Sequence, residues 1–242
     1  MTSISSKDQF DFIARLIHTY LRLPLSDDAI PGALLEGVIA HVRNAERLHN
    51  YDFVDVVNKS NAIGWQVKST KSKTPVTWKR AKIPNAEALI DKSRKSEHGL
   101  QTLGDSIITF CNAHAMHSLK THGLNEIFYA RLIAFPNGNL RYLERKLCDL
   151  KNPLVFDPAD YKWKWSTPKR TSKKEQLPAL HGINKTTGSK EWAWHGLGEN
   201  QLHFAGEGKW WNDQQSHWHD FASPTDDERL DFTALVDMLS KV

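Results

Sequence analysis

Cysteine is nearly missing from this chain of 242 residues: Cys111 and Cys148 are the only two. A single pair cannot build a disulfide framework, and no CxxC spacing marks a metal or redox site, so both read as buried thiols of a reducing compartment. No apolar run approaches the ~20 residues that cross a bilayer, and the polar N-terminus MTSISSKDQF does not resemble a signal peptide. The expectation is a soluble, intracellular protein with no membrane partner. Internal repeats and low-complexity tracts are absent as well. What is present is an ordinary 40% of hydrophobic residues, enough for a sizeable core, together with nine tryptophans.

The net charge of +4 is small, but it is unevenly spread. Residues 59–95 hold ten Lys or Arg against Glu87 and Asp91, and residues 161–190 hold eight against Glu175 alone. Phosphate contacts need clustered cations rather than a high average charge, so two basic blocks point to a polyanion-binding face. Solvated loops are the alternative reading.

Hydrophobic periodicity predicts a helix over 7–22, with Phe10, Ile13, Ile17 and Tyr20 at helical spacing, and a second over 29–48 that carries Leu35, Val38, Ile39 and Val42. Ser26, Asp27 and Asp28 are N-cap candidates for the second helix. The period then changes. Val54, Val56 and Val57, and after them Ile63, Trp65 and Val67, flank an N-K-S-N turn, which predicts an antiparallel hairpin. A basic loop over 72–84 follows, then helices near 85–96 and 102–119. EIFYARLIAF reads as a central strand buried on both faces, and NLRYLE as a strand after a PNGN turn.

Beyond residue 150 the chain becomes β-rich. YKWKW would turn Tyr161, Trp163 and Trp165 to one face and Lys162 and Lys164 to the other. EWAWHGLGENQLHF reads as a hairpin, and the capping-box signature of Thr225 with Glu228 announces a closing helix. The expected fold is α/β, a mixed α+β sheet flanked by helices. The expected division is a core over 1–150 and a β-rich, aromatic and basic lobe over 151–242 for DNA recognition or dimerisation, continuous with the core.

Chemistry concentrates at the hairpin. Strand alternation turns Gln66 and Lys68 to one face and Val67 into the core, and Asp55 can lie across from them on the neighbouring strand. A plain cross-strand ion pair between Asp55 and Lys68, of about 0.2–1 kcal/mol, is the structural alternative. The pattern D-x10-Q-x-K, in the apolar settings VDVV and IGWQVKS, resembles the PD-(D/E)xK nuclease motif. In LLEGVIAHV, Glu36 stands where many members carry a glutamate on the preceding helix. Glutamine at 66 departs from the commoner acid; it offers an oxygen ligand without charge. Asp52, three residues earlier, falls on the opposite face and is the weaker candidate.

The resemblance is closest to type II restriction endonucleases and implies a restriction-endonuclease-like core. It implies that Asp55, Gln66, the Val67 carbonyl and Glu36 hold Mg²⁺, and that Lys68 orients the attacking water and stabilises charge on the phosphate. It also implies double-stranded DNA as substrate, a homodimer cutting a short site, a cognate DNA methyltransferase encoded nearby, and a bacterial cytoplasm as location. Lys71, Lys73, Lys79 and Arg80, with Lys169, Arg170, Lys173 and Lys174 as a second arm, are the candidate DNA contacts. A repair or recombination nuclease of the same superfamily, or a DNA-binding protein with a degenerate site, remain alternatives. Trp192, Trp194, Trp210 and Trp211 suit core packing or base stacking, and His217 and His219 of HWHD form an HxH pair with too few further ligands for zinc.

Overall fold

The computed structural model describes residues 4–26, 30–49, 52–170, 175–210 and 213–240. It is a mixed α/β structure, with five α-helices and two large sheets among the described residues. The chain forms two compact units. One comprises Met1–Thr74, Ser118–Leu150 and Asp213–Val242; the other comprises Pro75–His117 and Lys151–Asn212. Composition places a boundary at residue 150, whereas the units interleave: residues 75–117 join the aromatic β-rich part, and the C-terminal stretch returns to the first unit.

The first unit opens with α1 (Lys7–Leu21), started by a capping box in which the Gln9 N–H donates to Ser6 Oγ and the Ser6 N–H donates to Gln9 Oε1 at 2.9 Å. Its Phe10, Ile13 and Ile17 are buried as the periodicity requires, while Tyr20 is only half-buried. Helix α2 (Gly32–Val42) ends six residues earlier than its apolar pattern suggests. Asn44 takes a left-handed φ of 47° and the Ala45 N–H donates to Ala40 O at 2.7 Å, which closes the helix. The residues released, β1 (Glu46–Arg47), pair with β2 (Val56–Asn58) instead. Of the N-cap candidates, Asp27 and Asp28 lie outside the described residues, and α2 starts at Pro31 without a side-chain cap.

The predicted hairpin forms: β2 runs antiparallel to β3 (Ile63–Lys71), with Val56 opposite Trp65 and Val57 opposite Gly64. On its other side β3 pairs parallel with β5 (Glu126–Ala134), which is buried along its length, and β5 pairs antiparallel with β6 (Asn139–Asp149). The sheet order is β1-β2-β3-β5-β6-β13, closed by the edge strand β13 (Ser216–Ala222). One sheet face, carrying Val56, Trp65, Val67, Phe128, Ala130 and Tyr142, packs on the buried stripes of α1 and α2. Glu144 is wholly buried there and accepts hydrogen bonds from the Ser5 N–H, the Ser5 hydroxyl and the Tyr142 hydroxyl; a buried polar group needs such partners.

The second unit corrects the expected loop over 72–84. It contains β4 (Val76–Arg80), whose Val76 and Trp78 are buried while Thr77 and Arg80 are exposed. Next come α3 (Ala86–Ser93) and the 25-residue α4 (Glu97–Thr121), which begins five residues before its apolar pattern and whose last turn belongs to the first unit. Strands β7 (Tyr161–Trp165), β10 (Leu180–Asn184), β11 (Lys190–Trp194) and β12 (Gln201–Phe204) complete an antiparallel sheet of order β4-β12-β11-β10-β7. A separate ribbon joins β8 (Lys169–Arg170) to β9 (Glu175–Gln176).

The inner face of the five-stranded sheet is an aromatic core. Trp78 meets Phe156, Trp192 and Phe204 edge-on at centroid distances of 5.2, 6.0 and 5.4 Å. Core packing is therefore the role of Trp192, Trp194 and Trp210, which are at most 5% exposed; Trp211 lies outside the described residues. Cys111 and Cys148 are buried thiols as expected, and burial pushes each up to about 12. Helix α5 (Phe232–Leu239) is capped by Asp231, whose carboxylate accepts the Ala234 N–H at 2.7 Å, while the Thr225–Glu228 capping box serves a short 3₁₀ turn before it.

Candidate active site

Asp55 stands immediately before β2, held on both sides by its backbone: its N–H donates to Trp65 O and its carbonyl accepts from the Leu48 N–H, each at 2.8 Å. The 56↔65 register places Asp55 across from Gln66, so the two side chains share a face, and alternation adds Lys68. The ladder partners of β2 stop at Trp65, so from Gln66 onward β3 has an open edge towards it. The Asp55 carboxylate fills that gap, its Oδ2 accepting the Val67 N–H at 2.7 Å in place of a backbone carbonyl. In a strand, a residue's N–H and C=O point to the same neighbour, so the Val67 carbonyl opens towards the same edge as its N–H.

An acid, an amide oxygen, a main-chain oxygen and an ammonium thus gather at the end of β2. Gln66 is 2% exposed, whereas Asp55 and Lys68 are half-buried. The alternative reading, a cross-strand ion pair between Lys68 and Asp55, does not hold: Lys68 forms no ion pair with any described residue. The three oxygen donors are of the hard type that Mg²⁺ and Ca²⁺ take, and only one of them carries charge. No group of three His, Cys, Asp or Glu side chains is placed to hold a metal among the described residues.

Glu36 lies on α2, beside Leu35 on the helix that packs against the Trp65 and Val67 face of the sheet. Its Oε2 takes the Arg47 Nε at 2.7 Å, so Arg47 is the partner the fold provides. Asp52 sits in the irregular segment ahead of β2. Its Oδ1 accepts from the Ser118 hydroxyl and from the Phe53 N–H, and its Oδ2 lies 2.6 Å from His122 Nε2. Burial raises its carboxyl, but the hydrogen bonds from Ser118, His122 and Phe53 outweigh that and hold it below the usual range. These contacts tie Asp52 to the end of α4 in a structural role.

Arg131 was not among the sequence candidates, although it is the one charged residue in the apolar run FYARLIAF. It is in register with Lys68 on the adjoining parallel strand, 4% exposed, and donates from Nε and Nη2 to Thr70 Oγ1 at 3.2 and 2.6 Å and from Nη2 to Thr74 O at 3.2 Å. Burial lowers its guanidinium, partly opposed by Tyr129. Arg131 fixes the end of the strand that carries Lys68 and the turn that follows.

Among the candidate DNA contacts, Lys71 and Lys73 are exposed at the end of β3 and in the next turn, where Lys73 takes a left-handed φ of 63°. Lys79 and Arg80 belong to β4 of the second unit, Lys169 and Arg170 to β8, and Lys173 and Lys174 lie outside the described residues. His217 and His219 alternate onto the face of β13 that meets α1, where His219 lies 3.5 Å from Asp11. No helix among the described residues is long and apolar enough to cross a membrane. No protein-family model matches the chain and no curated protein is significantly similar to it, so the site stands on its own geometry.

Proposed function

We propose that the chain is a Mg²⁺-dependent endonuclease that hydrolyses phosphodiester bonds of double-stranded DNA, with a restriction-endonuclease-like first unit and Asp55, Gln66 and Lys68 as its catalytic centre. One observation carries the reading: at the open edge where β2 ends, Asp55 docks on the Val67 N–H across from Gln66, beside a half-buried Lys68 with no carboxylate partner among the described residues. An ammonium held in a strand without a counter-ion suits an anionic ligand better than a structural role.

Asp55, Gln66 and the Val67 carbonyl would hold the cation, whose Lewis acidity polarises the phosphate when it is bound. Asp55 keeps its orientation because the Val67 N–H fixes one carboxylate oxygen. Lys68 places a positive charge where negative charge grows on the non-bridging oxygens and orients a water for in-line attack. Arg131 keeps the strand end rigid through Thr70 and Thr74, a positioning role. Glu36, held by Arg47, joins only if that pair opens.

Sequence-specific cutting by a homodimer, with a methyltransferase protecting host DNA, is the finer form of the same proposal. The single carboxylate among the three oxygen donors favours one second reading, a DNA-binding protein whose site no longer cuts. Incubating plasmid with the pure protein and Mg²⁺ separates them, since discrete fragments support the enzyme and intact DNA the binder. Asp55→Ala and Lys68→Ala should each lower cleavage by about a hundredfold to a thousandfold, in line with loss of one preorganised electrostatic group, while duplex binding persists. Full activity in either variant would remove these residues from the mechanism.

A further inference from the structure

The five-stranded sheet of the second unit has a second face. The register aligns Thr77, His203, Ala193, His181 and Lys164 in one row across all five strands. The alternation that buries Trp163 and Trp192 turns this row outward. Lys162, Lys190 and Arg80 lie on the same side and are exposed, like Lys164. The only carboxylate in these strands, Glu191, is 4% exposed and bound to Lys209 Nζ at 2.9 Å and the Tyr161 hydroxyl at 3.1 Å. Acid and base are thus sorted by face: the outer one carries cations and imidazoles, while Glu199 in the β11–β12 turn is the carboxylate acting on His203.

This face also holds a cavity of about 310 Å³, at the low end for small-ligand sites. His181, His195, His203, Lys190, Ser166 and Thr167 supply its polar lining, and the rings of His195 and His203 stand perpendicular at 5.2 Å. Partial burial, with His195 beside it, holds His203 below the ordinary imidazole range, so this ring offers hydrogen bonding rather than charge. Among the described residues its lining includes no Phe, Tyr or Trp on which a base could stack, because the described tryptophans of these strands pack inward or lie outside the cavity. Hydroxyls, imidazoles and an ammonium are the donors that phosphate oxygens take.

We infer that this outer face binds the sugar–phosphate backbone of duplex DNA, with one phosphate seated in the histidine-lined cavity. The choice of DNA as the polyanion rests on the endonuclease reading; the charge segregation and the cavity do not. The test is fluorescence anisotropy of a labelled 30-bp duplex with the full chain, without Mg²⁺, between 50 and 200 mM salt. Each phosphate contact contributes about 0.9 to the slope of log K against log salt, so the triple variant Lys162→Ala/Lys164→Ala/Lys190→Ala should flatten that slope by roughly 2–3. These lysines are exposed and the variant should keep its unfolding temperature. His203→Ala should weaken binding while leaving the slope unchanged, and Lys120→Ala, an exposed lysine of α4, should change neither.

An unchanged slope in the triple variant, with cleavage intact, would overturn this inference and spare the endonuclease reading. A flattened slope in a protein that never cuts supports the surface while sinking the catalysis. A slope lost equally on Lys120→Ala would also overturn it, because the effect would then be general charge.

Discussion

Three donors converge on Asp52: the hydroxyl of Ser118, the Phe53 N–H and, at 2.6 Å, the ring of His122. Asp52→Ala strands Ser118 and the Phe53 N–H in a part-buried place and should cost roughly 2–3 kcal/mol, as hydrogen bonds to a charged group do. Because the folded state holds this carboxyl below its usual range, its contribution is fully present above the unfolded pKa of about 3.9 and is lost as pH falls through the lower folded value. Urea unfolding at pH 7 and pH 3 should show the gap between wild type and Asp52→Ala narrowing at the acid end; an equal gap would mean that the carboxylate charge does no work there. At the same scale, Asp55, Gln66 and Lys68 were legible because strand alternation is a property of the backbone alone. The partner of Glu36 was not. Arg47 reads as part of a helix over 29–48, and only the turn at Asn44 brings it back to Glu36.

Helix α4 meets β7 where Gly104 lies against Trp163. A Cβ added at Gly104 would come within 2.1 Å of the indole Cδ1. Alanine gains about 1 kcal/mol over glycine in a helix interior, but forcing a methyl group into a filled core costs about 1–3 kcal/mol. With a clash this deep, overpacking wins. Gly104→Ala should lower stability by at least about 1 kcal/mol in chemical denaturation, and a stabilised variant would refute the packing account. Sequence patterns served well where one period governs: YKWKW buries Tyr161 and Trp163 and exposes its lysines, and EIFYARLIA is a central strand. They failed at VTWKR, where Val76 and Trp78 alternate as inward residues but cations surround them, so composition outweighed the period. At the C-terminus the closing helix forms as the pattern suggests, but the Thr225 capping box belongs to a 3₁₀ turn and Asp231 caps the helix, a distinction that depends on the chain's path after Glu228.

On the scale of the whole molecule, the boundary suggested by composition can be tested directly. A fragment ending at residue 150 would keep β4 while lacking β7, β10, β11 and β12, and would lose the edge strand β13 from the first sheet. Trp78, 1% exposed in the intact chain, would face water, and burying a side chain of this size is worth about 1.5–3 kcal/mol or more. Fragments 1–150 and 151–242, each produced alone, should show no cooperative thermal transition by circular dichroism, whereas the full chain should show one. A sharp melt of either fragment would contradict the interleaved architecture. The backbone passes from one unit to the other after Thr74, His117, Leu150 and Asn212. During synthesis the N-terminal part of a protein often folds while the rest is still being made. Here the six-stranded sheet waits for Ser216–Ala222, the last of its strands in chain order, and the five-stranded sheet waits for Gln201–Phe204, so neither unit can close until the segment carrying β12 and β13 has been made.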